Sequence, residues 1–225
     1  MATCDAKLEA LASRAMTARK LIEAMDWIAE QELKLHQDAE VQVVRARVEE
    51  GMRPFRSCPE IEEFMAQFVR AYSEPKARYK MLLMRGSSRS GKTQKAGSLF
   101  GMQHTLVANC QGTSPDLPSI AAFDRSEHRA IVWDEIDHKQ VLANKVCFQA
   151  GVDPVSLGQS KCNGYAYRRW LYATPMILRS NVFAWPQDKN TKLSAEDADW
   201  LLKNIIFAEL PDGDKWYMDE EDEGE

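Results

Sequence analysis

Residues 81 to 93 read Met81-Leu82-Leu83-Met84-Arg85-Gly86-Ser87-Ser88-Arg89-Ser90-Gly91-Lys92-Thr93, an apolar run followed by a glycine-rich turn. The pattern G-x-x-x-x-G-K-[ST], placed after an apparent strand and before an apparent helix, is typical of a loop that wraps phosphate groups with its backbone N–H groups. The lysine offers a point charge to the β- and γ-phosphates, and the threonine offers a hydroxyl to Mg²⁺. The sequence therefore predicts a P-loop that binds a nucleoside triphosphate through Gly86, Ser87, Ser88, Arg89, Ser90, Gly91, Lys92 and Thr93.

A second motif lies about forty residues downstream, where Ala130-Ile-Val-Trp-Asp134-Glu135 ends an apolar run in two carboxylates. A carboxylate at the end of a strand beside a P-loop suits Mg²⁺, and a second one suits a general base that polarises water. Asp134 and Thr93 are thus the predicted metal ligands, and Glu135 is the predicted base. Asp137 is predicted to cap a helix.

A third motif is Met176-Ile-Leu-Arg-Ser-Asn181, an apolar run that ends in a polar amide. Beside a P-loop, the amide of Asn181 can hydrogen-bond the terminal phosphate or the attacking water. Asn181 therefore joins Lys92, Asp134 and Glu135 as a predicted catalytic residue.

A basic stretch follows the second motif and contains Lys161, Arg168 and Arg169 interleaved with Tyr165, Tyr167 and Trp170. Basic side chains between aromatic rings suit a nucleic-acid strand, because the positive charges contact phosphates and the rings stack on nucleobases. The alternative is a hairpin over about 155–172 whose rings pack on the core and whose charges are solvated.

The chain of 225 residues divides into three predicted parts. Residues 1–77 are predicted to be helical, with a helix beginning at Pro59, and form either a simple bundle or a candidate oligomerisation domain. Residues 78–211 alternate strands and helices, which is the pattern of an α/β domain with a parallel sheet. Residues 212–225 are predicted to form a disordered acidic tail.

Within the α/β part, helices are predicted after Gly91, near Ser119–Asp124, over Lys139–Phe148 and from Ser194 onward. The predicted strands are Tyr79–Arg85, Thr105–Asn109, Ala130–Asp134, Met176–Asn181 and Ile205–Leu210.

The net charge of −5 conceals a division along the chain. Residues 212–225 hold eight acids and one base, a net of −7, which leaves +2 on the preceding 211 residues. Five scattered cysteines without a CxxC pair argue against a disulfide framework or a zinc site. The absence of an apolar stretch long enough to span a membrane, and of a signal-peptide pattern, predicts an intracellular protein without membrane contact.

Taken in order, the P-loop, the two acids, the basic hairpin and the strand ending in Ser-Asn resemble the superfamily 3 helicases, above all the helicase domain of replication initiator (Rep) proteins of small circular single-stranded DNA viruses. The likeness covers about Arg78 to Pro211. It implies an AAA+-type α/β domain that assembles as a homo-oligomeric ring, commonly a hexamer, hydrolyses ATP with Mg²⁺, and moves along single-stranded or forked DNA, with RNA as an alternative. It further implies that Lys161 is the DNA-contacting lysine of the hairpin and that Asn181 is the polar sensor.

Two features depart from that family. The first 78 residues hold a single histidine, His36, so a DNA-nicking domain is not expected. The last arginine is Arg179, whereas the family tends to supply an arginine finger after the sensor strand; Lys203 is near that position but lacks the planar guanidinium fork. This departure motivates an alternative hypothesis, a nucleotide-gated assembly protein that binds ATP without unwinding DNA. A small P-loop kinase is a third hypothesis.

Overall fold

The computed structural model describes residues 55–56, 58–69, 75–110, 115–157, 167–189, 191–211 and 213–217. The helices predicted within residues 1–50 and the residue Lys161 lie outside these ranges. The chain divides into two compact units, Met1–Val48 and Glu49–Glu225, and the described residues all belong to the second.

Strands of the described residues form a large and a small sheet. The large sheet is parallel, with the strand order β2-β3-β6-β1-β7, and the small one is an antiparallel pair of β4 and β5. The five strands predicted from the sequence are confirmed, each to within two residues of its ends, and so is the α/β class. The strands are β1 (Met81–Arg85), β2 (Thr105–Asn109), β3 (Ala130–Asp134), β4 (Val155–Leu157), β5 (Tyr167–Arg169), β6 (Met176–Ser180) and β7 (Ile205–Glu209).

Helices surround the large sheet: α1 (Pro59–Val69), α2 (Lys92–Ser98), α3 (His138–Ala143) and α4 (Ala195–Asn204), with 3₁₀ turns at Met102–His104 and Cys147–Gln149. Side chains cap two of these helices at their first turn. Asp137 accepts a hydrogen bond from the Lys139 N–H, and Ser194 accepts one from the Asp197 N–H. Both caps agree with the sequence, because a short polar side chain can satisfy an N–H that has no partner within the helix.

Side chains of the central strands are buried on both faces of the large sheet, which explains their unbroken apolar runs. Successive residues of a strand point to opposite faces, so β1 contributes to two separate cores. Met81 and Leu83 lie in one core with Trp133, whereas Leu82 and Met84 lie in the other. Both faces of the large sheet are therefore covered by a core.

Helix α1 covers the second of these cores. Phe64 is fully buried there, and Ile61 is nearly so, against Leu82 and Met84 of β1. The structure thus places α1 in the same compact unit as the large sheet, although the sequence assigns it to the helical region of residues 1–77. Aromatic side chains at helical spacing predict an apolar face but not which element covers it.

The helix predicted near Ser119–Asp124 is wrong, because that segment forms turns. Hydrogen bonds stabilise the turns: the Ile120 N–H donates to the Tyr167 hydroxyl at 2.7 Å, and the Asp124 carboxylate accepts from both the N–H and the hydroxyl of Ser126. A side chain that hydrogen-bonds to nearby backbone competes with helix formation.

The helix predicted over Lys139–Phe148 is shorter than expected, since α3 ends at Ala143. The Asn144 side chain donates to the carbonyl oxygens of Gln140 and Pro115 at 2.8 and 2.9 Å. These bonds satisfy a carbonyl at the helix end and attach it to a distant loop, so the chain turns there instead of continuing.

Part of the predicted disordered tail belongs to the fold. Trp216 is only 2% exposed, packs in the core covered by α1, and donates its backbone N–H to the Ser90 carbonyl at 2.8 Å. The structure therefore differs from the prediction over 213–217, because the count of acids from Asp212 onward conceals a large apolar side chain.

Candidate active site

The glycine loop, Gly86–Thr93, runs from the carboxyl end of β1 into the first turn of α2, as the sequence predicts. Gly91, the N-cap residue of α2, has φ of +85°, a conformation that favours glycine. A Cβ at this position would lie 2.7 Å from Cε2 of Tyr217. The loop thus requires glycine here for two reasons, backbone conformation and the ring above it.

Lys92 is folded into the glycine loop. It is 4% exposed, and its Nζ donates to the carbonyl oxygens of Gly86 and Ser87 at 2.8 and 2.6 Å and approaches the Ser90 hydroxyl at 3.3 Å. Burial lowers the pKa of Lys92, the positive charge of Arg179 lowers it further, and Glu135 opposes both effects. The ammonium group is therefore held by oxygen acceptors at the centre of the loop.

The two predicted acids follow β3. Asp134 ends the strand and is 9% exposed; Glu135 comes next with φ of +54°, in the left-handed region. Such a conformation is uncommon for a residue with a side chain. The side chain of Glu135 remains 38% exposed.

Asn181 lies just beyond the end of β6 and contacts Glu135. Its Nδ2 is 3.2 Å from both carboxylate oxygens of that residue. Because β6 lies between β1 and β3, the glycine loop, the two acids and the amide follow three adjacent strands of the sheet. The structure brings Glu135 and Asn181 together and places Asp134, through the β3–β6 pairing, beside the same strand.

Arg179 is a site residue that the sequence reasoning did not identify. It stands opposite Asp134 in the β3–β6 register and forms an ion pair with the Asp134 carboxylate; its Nη2 is also 3.5 Å from Glu135. The signal for it was a charged residue inside an apolar strand, since a buried guanidinium requires an anion nearby. Burial lowers the pKa of Arg179.

A cleft of about 740 Å³ opens beside the glycine loop, at the carboxyl ends of the strands. Its walls include Gly86 and Ser87 of the loop, Asn181, and the cations Lys139 and Lys192. Ligands of open parallel sheets bind at this edge, and pockets of this size accept small molecules.

An ion-pair network forms one side of that cleft. The Arg85 guanidinium donates to the Asp188 carboxylate at 2.5 and 2.8 Å and to Glu209 at 2.7 Å, and it lies over the Phe207 ring. The guanidinium holds the pKa of Asp188 below its usual value. The network joins the end of β1, directly before Gly86, to β7 and to the 183–188 segment.

The predicted nucleic-acid residues Arg168 and Arg169 lie on β5, the second strand of the predicted hairpin. Arg168 is exposed, while Arg169 stacks over the Tyr167 ring and donates to the Ala121 carbonyl. A cleft of about 410 Å³ joins both arginines to Arg125 and Trp170.

We call Arg125, Arg168, Arg169, Trp170 and Tyr172 the basic aromatic patch. Trp170 is 51% exposed and stacks on Tyr172 with ring centroids 5.8 Å apart, while the Arg125 guanidinium lies 4.9 Å from its ring centroid. Tyr172 in turn packs on Tyr79, which precedes β1, so the patch lies at the amino ends of the strands. It is therefore on the opposite edge of the sheet from the glycine loop.

No protein-family model matches the chain, and no curated protein matches its sequence. In the part of the chain that the structure describes, no helix is long and apolar enough to cross a membrane. Across those same residues, no three His, Cys, Asp or Glu side chains form a group that could hold a metal ion by themselves.

Proposed function

We propose that this chain binds and hydrolyses ATP with Mg²⁺ and couples hydrolysis to movement along DNA strands, as a ring-forming protein of superfamily 3 helicase type with a P-loop. The observation that carries the proposal is the placement of the glycine loop, Asp134 with Glu135, and Asn181 after three adjacent parallel strands. Each of these groups suits a different part of a nucleoside triphosphate.

Phosphate binding is assigned to the glycine loop and the first turn of α2. The left-handed conformations of Arg89 and Gly91 turn the loop backbone sharply, as in anion-binding loops of successive N–H groups. Lys92 donates to two carbonyl oxygens and approaches a hydroxyl, and phosphate oxygens would replace these acceptors when a nucleotide binds.

The donor set fits Mg²⁺. This ion prefers oxygen ligands and is commonly held by one or two carboxylates together with substrate phosphates, which agrees with a site that offers the Asp134 carboxylate and the Thr93 hydroxyl. Bound there, Mg²⁺ would neutralise charge on the phosphate oxygens.

Glu135 is assigned the role of general base and Asn181 that of its orienting partner. The amide fixes the carboxylate by contacts to both of its oxygens, while the exposed side of the carboxylate faces solvent, from which water can enter.

DNA contact is assigned to Arg168, Arg169 and the hairpin lysine Lys161, which lies outside the described residues. The exposed Trp170 ring lies beside Arg168 and Arg169. This arrangement suits a nucleic-acid strand, because a nucleobase can stack on the ring while phosphates contact the arginines. Phosphates and stacking bases are common to single-stranded DNA and RNA, so both belong in the test.

Phosphate release from ATP, measured without nucleic acid, with single-stranded DNA and with single-stranded RNA, tests the proposal. Wild type should release phosphate, and Lys92→Ala should lose nucleotide binding, whereas Lys80→Ala, which alters an exposed lysine paired with Glu63, should retain both. Absence of turnover, together with equal nucleotide binding by wild type and Lys92→Ala, would contradict the proposal. Phosphate transferred to a nucleoside monophosphate instead of water would favour the kinase hypothesis.

A second candidate is a nucleotide-gated assembly protein that binds ATP without unwinding DNA. It is favoured by the position of Arg179, the last arginine of the sequence, which is paired with Asp134 of its own chain. Lys203, the cation expected near the family's arginine position, pairs with Asp199 on an exposed helix face. Light scattering with and without ATP, beside a strand-separation assay, distinguishes the two: ATP-dependent assembly without strand separation supports the second candidate.

A further inference from the structure

Arg179 places a largely buried positive charge near the carboxyl end of the central strand β6. Its side chain is 13% exposed, it lies between Met84 of β1 and Asp134 of β3 in the strand register, and its Nε has no hydrogen-bond partner among the described residues. A buried guanidinium that leaves a donor unsatisfied is costly, so its position needs a reason beyond packing.

The charges around Arg179 balance in this arrangement. The Arg179 guanidinium contacts two carboxylates, Asp134 and Glu135, and the charges of Arg179 and Glu135 both act on a second cation, Lys92. Removing one member of such a group leaves an opposite charge buried without compensation. A cation that binds Asp134 therefore leaves Arg179 with the more distant Glu135, at 3.5 Å, as its carboxylate partner among the described residues.

Mg²⁺ and Arg179 compete for Asp134, because the carboxylate that the proposed function assigns to the metal is the one that the guanidinium now occupies. The terminal phosphate of a bound nucleotide is the anion that arrives with Mg²⁺. The planar fork of a guanidinium can bind two phosphate oxygens at once, which the compact charge of a lysine ammonium does less well.

We propose that Arg179 alternates, within its own chain, between the carboxylate of Asp134 and the terminal phosphate of a bound nucleoside triphosphate. This inference rests on the proposed function. It places the phosphate-binding arginine on strand β6 itself, whereas the resemblance to the helicase family implies an arginine after that strand. Binding of Mg²⁺ and recognition of the triphosphate are then linked through one side chain, and a diphosphate leaves Arg179 on Asp134.

The test is binding of fluorescent ATP and ADP analogues across a Mg²⁺ titration. The proteins are wild type, Arg179→Gln, Arg179→Lys and the control Arg129→Gln, which changes an exposed arginine that precedes β3. In Arg179→Gln the preference for ATP over ADP should fall about tenfold, since a charged hydrogen bond to phosphate is lost. The Mg²⁺ concentration for half-maximal ATP binding should fall as well, because Asp134 no longer has a competing cation.

Arg179→Lys keeps the charge but loses the fork, so its preference for ATP should fall by a smaller factor, about threefold. Unchanged ATP preference and unchanged Mg²⁺ dependence in a folded Arg179→Gln would overturn the inference. Thermal unfolding shows whether each variant folds. If Arg179→Gln does not fold, a wild-type preference for ATP and a wild-type Mg²⁺ dependence in Arg179→Lys would overturn the inference instead. Failure of wild type to bind either nucleotide would overturn the proposed function itself, which is a separate result.

Discussion

Nδ2 of Asn181 lies 3.2 Å from each carboxylate oxygen of Glu135, at the ends of two neighbouring strands. Replacing Asn181 with Ala removes this orienting contact and leaves Glu135 beside Arg179 alone. Steady-state ATP hydrolysis should fall about 10²-fold, as when the geometry of general-base catalysis is lost, while ATP binding stays near the wild-type value.

The control for that variant is Asn204→Ala, which also removes an asparagine amide. Asn204 donates to the Trp200 carbonyl within α4. It should hydrolyse ATP like wild type. A wild-type rate in Asn181→Ala would show that Glu135 does not depend on the amide.

The sequence predicts the large sheet and the glycine loop well because both depend on local patterns. An apolar run such as Ala130–Trp133 has to be buried on both faces, and a P-loop pattern specifies glycine where the backbone requires it. Gly91 illustrates the second point, since its positive φ follows from the motif alone. Helix caps at Asp137 and Ser194 are local for the same reason.

The missed features depend on contacts between residues far apart in the chain. The partner of Arg179 is Asp134, forty-five positions earlier, and only the strand register reveals the pair. The acidic residues around Trp216 predict a disordered tail, and the core that buries its ring is formed by the distant elements α1 and β7. A search for apolar side chains within charged segments, and for charges within apolar strands, would have found both.

Two buried thiols should weaken the fold at alkaline pH. Cys110 and Cys147 are each 2% exposed, and burial raises the pKa of each from 9.0 to about 12. Between these values the unfolded thiol loses its proton and the folded one keeps it, so the free energy of unfolding falls as pH rises. The loss should be about 1.4 kcal/mol per pH unit for each thiol over that range.

Urea unfolding of wild type and Cys110→Ala at about pH 8 and about pH 10.5 measures this effect. Cys110→Ala should lose less stability between the two conditions. The comparison is needed because the lowered pKa values of Lys92 and Lys95 act in the opposite sense and raise stability with pH. Equal losses in the two proteins would show that the Cys110 thiol does not contribute.

Gly91→Ala should destabilise the protein through both the φ of +85° and the contact with the Tyr217 ring. The conformational part amounts to about 1–2 kcal/mol, and the steric part adds to it. Gly213→Ala is a matched control, because Gly213 has φ of +92° but open space around a Cβ.

A double-mutant cycle with Tyr217→Ala separates the two costs of Gly91→Ala. Removing the ring should relieve the steric part, so that Gly91→Ala costs about as much as Gly213→Ala in that background. Additive effects of the two substitutions in urea unfolding would mean that Tyr217 does not restrict the loop.

The position of Trp216 separates the acidic end of the chain into two parts with different roles. Ending the chain after Tyr217 removes six acids and no base, which should leave stability unchanged and strengthen DNA binding at low salt. Ending it after Pro211 also removes the buried Trp216, which should cost about 3–5 kcal/mol in urea unfolding. Equal stability of the two truncated proteins would contradict the role given to Trp216.

Trp170 offers the sharpest test of strand binding, because its ring is half-exposed beside three arginines and far from the glycine loop. Trp170→Ala removes a surface on which a base can stack, and the loss for one base is about 1–3 kcal/mol. Affinity for labelled single-stranded DNA should therefore fall about tenfold or more, while ATP binding is retained. Leu202→Ala, at an exposed apolar position on α4, should change neither quantity. If Trp170→Ala binds DNA like wild type, the exposed ring serves the packing of Arg125 and Tyr172 and the strand is bound elsewhere.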